Sequence, residues 1–183
     1  MIAKHKKYNY LIIFFIVILS HFLPFERSTL APDDYSLMKE NYNFFNNFLI
    51  YSDRPLLYLF LDLKYFILKD NENYYLILLI IVNSLNCIII YHFYLLFFSK
   101  NNSLLISIIY ILLFNKLEIY HNAIMIHIVV VSSIYILSLY YLIKHIINKN
   151  IINYLLSIFL FLISILWYEI GFFIPLTILF IKK

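Results

Sequence analysis

The chain has 183 residues, of which 64% are hydrophobic and 13% charged, and its mean hydropathy is +0.87. Soluble domains are about 45–50% apolar, so this composition excludes an ordinary water-soluble fold. The net charge of +4 comes from basic residues scattered singly between apolar runs, which excludes the continuous basic stripe of a nucleic-acid-binding surface.

Residues 1–7 are basic, and residues 8–23 form the first apolar run. That pattern fits a signal peptide, but no small-x-small cleavage site follows. A retained helix running from inside to outside is therefore expected. Its sixteen residues cover about 24 Å, with Tyr8 and Tyr10 as interfacial anchors. Residues 24–54 are the longest polar stretch. Pro32 ends one segment, and Asp33 or Asp34 can cap a helix over 35–50. Met38, Tyr42, Phe45 and Leu49 share one face of that helix, which suits it to lie on a membrane surface. Ser52-Asp53-Arg54-Pro55 starts another helix, since proline's missing N–H costs nothing in a first turn.

Residues 55–68 are short for a span and carry Asp62 and Lys64. Residues 74–98 are the clearest span, followed by a short run over 104–114 and a return over 123–143. Residues 154–167 and 171–181 are two further short helices with Glu169 at their junction. A single helix over 151–181 would be about 46 Å long, against a hydrocarbon core of about 30 Å. The expected architecture is all-α: a polytopic membrane protein with about six transmembrane helices and one or two outer-surface amphipathic helices. Residues 1–183 form one transmembrane domain, and 24–73 form its outer loop.

Charge decides the sides. Lys4, Lys6, Lys7, Lys100, Lys144, Lys149, Lys182 and Lys183 can all face one side with no acid among them. The ten acidic residues then fall on the other: Glu26, Asp33, Asp34, Glu40, Asp53, Asp62, Asp70, Glu72, Glu118 and Glu169. This holds only if 55–68 stays on the outer side, as a surface or re-entrant helix. Lysine and arginine favour the cytoplasmic side. The N-terminus is thus expected inside a cell (inner) membrane, with the acidic loops outside.

Four residues stand out for chemistry. Adjacent Asp33 and Asp34 can hold a divalent cation or share a proton, because neighbouring carboxylates raise one another's pKa. They can equally cap the following helix. Arg54 has the forked donors that suit a lipid phosphate, or it pairs locally with Asp53 or Glu40. Glu169, between two apolar runs, is a functional candidate if it lies at membrane depth and an interfacial acid if it does not. Glu118 and His121 are three apart but lack a third metal ligand. His92 and His127 read as polar packing residues. Cys87, the one cysteine, excludes an intrachain disulfide. Gly171, the one glycine, leaves no Gly-rich phosphate loop.

The order of these features is an outer acidic pair (Ala31-Pro32-Asp33-Asp34-Tyr35), then Arg54-Pro55-Leu56 opening an apolar helix, then Tyr168-Glu169-Ile170-Gly171 between two helices. It resembles the N-terminal half of a GT-C-fold membrane glycosyltransferase, a superfamily that includes protein O-mannosyltransferases and bacterial enzymes that decorate cell-envelope lipid A or polysaccharide. The resemblance implies a polyprenyl-phosphate-linked sugar as donor, used at the outer leaflet. Asp33 and Asp34 would be catalytic, supplying the base for an acceptor hydroxyl, or would hold a divalent cation such as Mg or Mn in metal-dependent members. Arg54 would bind the donor phosphate, and Glu169 would line the same substrate cavity. Such enzymes continue through further spans, so the chain is expected to be truncated relative to its family and to work with membrane lipid and further membrane subunits. A different class is also open: a non-catalytic polytopic protein, either a transporter fragment or an accessory subunit. A transporter predicts polar residues deep in its spans.

Overall fold

The structure is a computed structural model that describes residues 2–22, 55–68, 72–114 and 126–167. Its described elements are all helical: α1 (Ile2–Phe22), α2 (Pro55–Leu68), α3 (Glu72–Tyr94), α4 (Lys100–Phe114), α5 (Ile126–Asn148) and α6 (Ile151–Trp167). Two helical stretches, Asn73–Tyr94 and Ile126–Asn148, are long and apolar enough to cross a membrane; α4, α6 and the apolar part of α1 are shorter. The expected helices over 35–50 and 171–181 lie outside the described residues.

The helix boundaries follow local chemistry. Helix α2 begins at Pro55, as the sequence predicts. Ser99 caps α4: its carbonyl accepts from Ser103 N–H at 2.9 Å, and its hydroxyl lies 3.5 Å from Asn102 N. Asn150 caps α6, where Oδ1 accepts from the Ile152 N–H at 2.9 Å. Helix α1 begins within the basic segment, and α5 runs to Asn148 instead of ending near 143, so Lys144 sits on a helical turn and not in a loop. A lysine's long stem lets a helix continue past the apolar run while the ammonium reaches polar surroundings.

The α5–α6 turn contains the one described non-glycine residue with positive φ, Lys149 at 54°. Its N–H still donates to His145 O at 2.7 Å, which places a left-handed residue just beyond the helix end, where glycine is usual. The left-handed conformation costs a side-chain-bearing residue about 1–2 kcal/mol. Lys149→Gly is therefore expected to stabilise the protein by about 0.5–1 kcal/mol, after the added freedom of the unfolded chain is set against it. Thermal unfolding in micelles checks this; a lower Tm would contradict it.

The helices belong to two compact units. The first contains α1, α3, α4 and the beginning of α5. Its buried apolar centre is Ile13, Val17, Cys87, Tyr91 and Ile111. Helices α1 and α3 are antiparallel: Asn9 Nδ2 donates to Tyr91 Oη at 2.8 Å, Tyr10 Oη lies 2.7 Å from His92 Nε2, and His21 meets Asn83 further along. The five-residue turn 95–99 reverses the chain, and Asn86 Nδ2 donates to Tyr110 Oη at 3.2 Å across α3 and α4. The N-terminal end of α1, the C-terminal end of α3 and Lys100 are therefore gathered at one end of this unit. Tyr8 is exposed. Tyr10 instead turns inward, packing edge-on against Tyr91 with centroids 6.2 Å apart.

The second unit contains α2, α6 and α5 from Val131 onward. Phe60 of α2 packs on Trp167 of α6 at 5.2 Å between ring centroids. Ser138 Oγ donates to Ser157 O at 3.0 Å, joining α5 to α6. In α6 the buried residues are serines, Ser157 and Ser164, whereas Leu155, Phe159, Leu162 and Leu166 are exposed. In α2, Asp62 and Lys64 are buried together with Leu57, while Leu63, Phe66 and Ile67 are exposed. In α6 the serines point inward and the large apolar groups outward, the reverse of a soluble protein.

Candidate functional site

The four residues singled out from the sequence, Asp33, Asp34, Arg54 and Glu169, all lie outside the described residues, as do Glu118 and His121. The described helices contribute a different set of polar groups, and its members are buried.

The most developed lies in the first unit, at the midpoint of α3. Asn83 stands halfway along Asn73–Tyr94, about 16 Å from either end of α3 at 1.5 Å per residue. His21, in the last described turn of α1, meets it there: Nε2 lies 2.9 Å from Asn83 Nδ2. The other ring nitrogen, Nδ1, is 2.8 Å from Val17 O. A carbonyl can only accept, so Nδ1 carries the proton, and Nε2 accepts from the Asn83 amide. This fixes the amide's orientation and turns Asn83 Oδ1 away from His21. That oxygen, and Asn86 Oδ1 one turn further along, are both buried with no hydrogen bond among the described residues. Residues three apart on a helix share one face, so the two amide oxygens lie on one face of α3, where a hydrogen-bond donor could meet both.

Ser103 and Ser107, fully buried on α4, return their hydroxyls to their own helix at Ser99 O and Ser103 O. Ser84 does the same to Ile80 O at 2.7 Å. These hydroxyls are satisfied locally and leave the α3 amides as the polar groups able to take a further donor. His92, which the sequence reads as a packing residue, lies with Nε2 2.7 Å from Tyr10 Oη.

In the second unit the notable groups are Asp62 and Lys64, with 5% and 9% of their surfaces exposed. Two residues apart on a helix, they point in different directions; Lys64 is in line with the buried Leu57, two turns earlier. Both are engaged by other groups. The sequence reading took these charges, with the short length, as signs of a surface or re-entrant helix; both are turned into the protein. The length of α2 and the sorting of charge between later loops remain the reasons to doubt that it spans. Among the described residues, no three His, Cys, Asp or Glu side chains gather around a possible metal position.

The amides and the buried charges were visible in the sequence. Asn83-Ser84-x-Asn86 interrupts the centre of the most apolar long run, and an intramembrane polar group is by default a functional candidate. No family model, curated protein or solved structure matches this chain.

Proposed function

We propose that the chain is a membrane glycosyltransferase-like protein that transfers a sugar from a lipid-phosphate-linked donor on the extracytoplasmic side. The sequence order carries this reading: the acidic pair Asp33-Asp34, then Arg54-Pro55-Leu56, then Tyr168-Glu169-Ile170-Gly171. The chemistry requires a carboxylate that takes the acceptor's proton and a cation that stabilises the departing lipid phosphate, both in one water-poor place. In this reading Asp33 or Asp34 is the base or a ligand for a divalent cation, Arg54 neutralises the phosphate, and Glu169 lines the cavity.

Two structural observations support the membrane part. The inward polar groups of α2 and α6, with their apolar outer faces, suit a hydrocarbon solvent. The antiparallel packing in the first unit puts the N-terminal end of α1 and Lys100 at one end, consistent with a single basic, cytoplasmic side. About six spans, with the acidic loops outside, complete the arrangement.

A second reading has its own support. A transporter predicts internal repeats, broken midplane helices and polar residues deep in its spans; the sequence has no repeat, but the buried His21–Asn83 contact and the amides at the midpoint of α3 supply the last of these. Transfer of radiolabelled sugar separates the two. Membranes containing the full-length protein should move label from an added polyprenyl-phosphate sugar to an acceptor. Membranes that carry the protein but show no transfer with any donor of this class would leave the non-catalytic reading.

A further inference from the structure

We infer that the α5–α6 turn is a docking site for the phosphate of an anionic phospholipid headgroup. The inference rests on the membrane reading above and is independent of sugar transfer. Lys144 and Lys149 stand within six residues of each other around this turn. The Lys144 ammonium lies 5.1 Å from the centre of the Tyr140 ring, so its stem folds back one turn along α5 while the charge stays available. His145 is held between neighbours: Nδ1 donates to Asn150 O at 2.9 Å, and its ring lies 5.2 Å from that of Tyr154. The turn is therefore built and capped at both helix ends.

The described surface of the second unit offers this charge no carboxylate. Among the described residues of the second unit the one acid is Asp62, and it is buried. Lys144 and Lys149 consequently present positive charge with no exposed described carboxylate to meet it. Lys149 also keeps its cation in a left-handed position, φ 54°, where a glycine would sit at lower cost.

The flanks select a lipid over a free anion. Ile146 and Ile147 before the turn, and Ile151 and Ile152 after it, are 47–62% exposed. Apolar side chains on both sides of a basic pair are suited to enter the acyl boundary and hold the ammonium groups at headgroup level. Tyrosine is favoured at that depth for its apolar ring and polar tip. A soluble phosphate would gain nothing from the isoleucines.

The test uses the full chain, purified in detergent, with phosphatidylglycerol and phosphatidylcholine of identical acyl chains offered in equal amounts. Native mass spectrometry reads which lipid is retained. Wild type should favour phosphatidylglycerol. Lys144→Gln and Lys149→Asn should each reduce that preference about fivefold, and the double variant about twenty-five-fold, since a basic residue near an anionic surface contributes about one such factor. Asparagine is chosen at position 149 because it tolerates positive φ. Lys100→Gln, in the other unit, should leave the preference unchanged. An unaltered preference in the double variant overturns the site, and displacement of phosphatidylglycerol by millimolar inorganic phosphate overturns the lipid assignment. Failure of wild type to float with phosphatidylcholine vesicles would instead strike the membrane reading itself.

Discussion

Asparagine at position 34 is expected to abolish sugar transfer while leaving the amount of protein in the membrane unchanged. A positioned general base contributes about 10²- to 10⁴-fold, so its loss should take transfer to background, as should loss of a metal ligand. Asparagine keeps the size of the side chain and can still cap a helix through its oxygen. A helix-capping role therefore predicts normal transfer, and a catalytic role predicts none. Asp33→Asn distinguishes the two members of the pair by the same measurement. Arg54→Leu should reduce transfer about 10²- to 10³-fold if the guanidinium stabilises charge on the departing phosphate, and Arg54→Lys should restore only part of it, because an ammonium lacks the planar fork. Full transfer by the Asp34→Asn protein would return the acidic pair to the cap of the next helix.

Leucine at position 62 is expected to lower the stability of the second unit by about 1–3 kcal/mol, the range for leaving a buried polar partner unmet. Asp62 is buried and engaged, so its removal strands whatever it meets. The protein supplies its own reporter, because Trp167 is its one tryptophan and packs against Phe60 on the same helix as Asp62. Denaturant titration in micelles, followed by Trp167 fluorescence, should show a much earlier transition for Asp62→Leu. Asp62→Asn should fall between, since the amide retains an acceptor without the charge. Phe66→Ala, on the exposed face of α2, should move stability by less than about 0.5 kcal/mol when assayed the same way. A transition for Asp62→Leu as late as that of wild type would show that the carboxylate's surroundings are already wet.

Periodicity and length made some of this fold legible. The long apolar run over 74–98 marked a helix but overran its end, since α3 stops at Tyr94 and 95–98 form the turn, and Pro55 marked the start of α2. The capacity of lysine to reach away from a helix blurred two other ends, so α1 begins earlier and α5 ends later than the apolar runs alone suggest. The orientation of α2 could not be read, because in a fourteen-residue helix with both charges and aromatics either face can be the inner one. Asn83 and Asn86 were plain in the sequence. Their partners were not: His21 sits sixty-two positions from Asn83 and Tyr110 twenty-four from Asn86, and only antiparallel packing brings them there. For the same reason, the order of Asp33, Asp34, Arg54 and Glu169 along the chain suggests a chemistry and says nothing of their separation in space.

If, as proposed, hydrocarbon surrounds the outward-facing leucines, isoleucines and phenylalanines of α6, it does not distinguish one apolar side chain from another. Exchanges among them would then alter little, so such positions are free to drift. Ser138, Ser157 and Ser164 have no such freedom: larger side chains would push the helices apart, and a leucine cannot replace the hydroxyl that Ser138 donates to the Ser157 carbonyl. In this chain the information that identifies the fold is therefore concentrated in a sparse set of small polar positions, and a mutational scan should find its intolerant sites among the serines and asparagines of the interior before the far more numerous apolar residues around them.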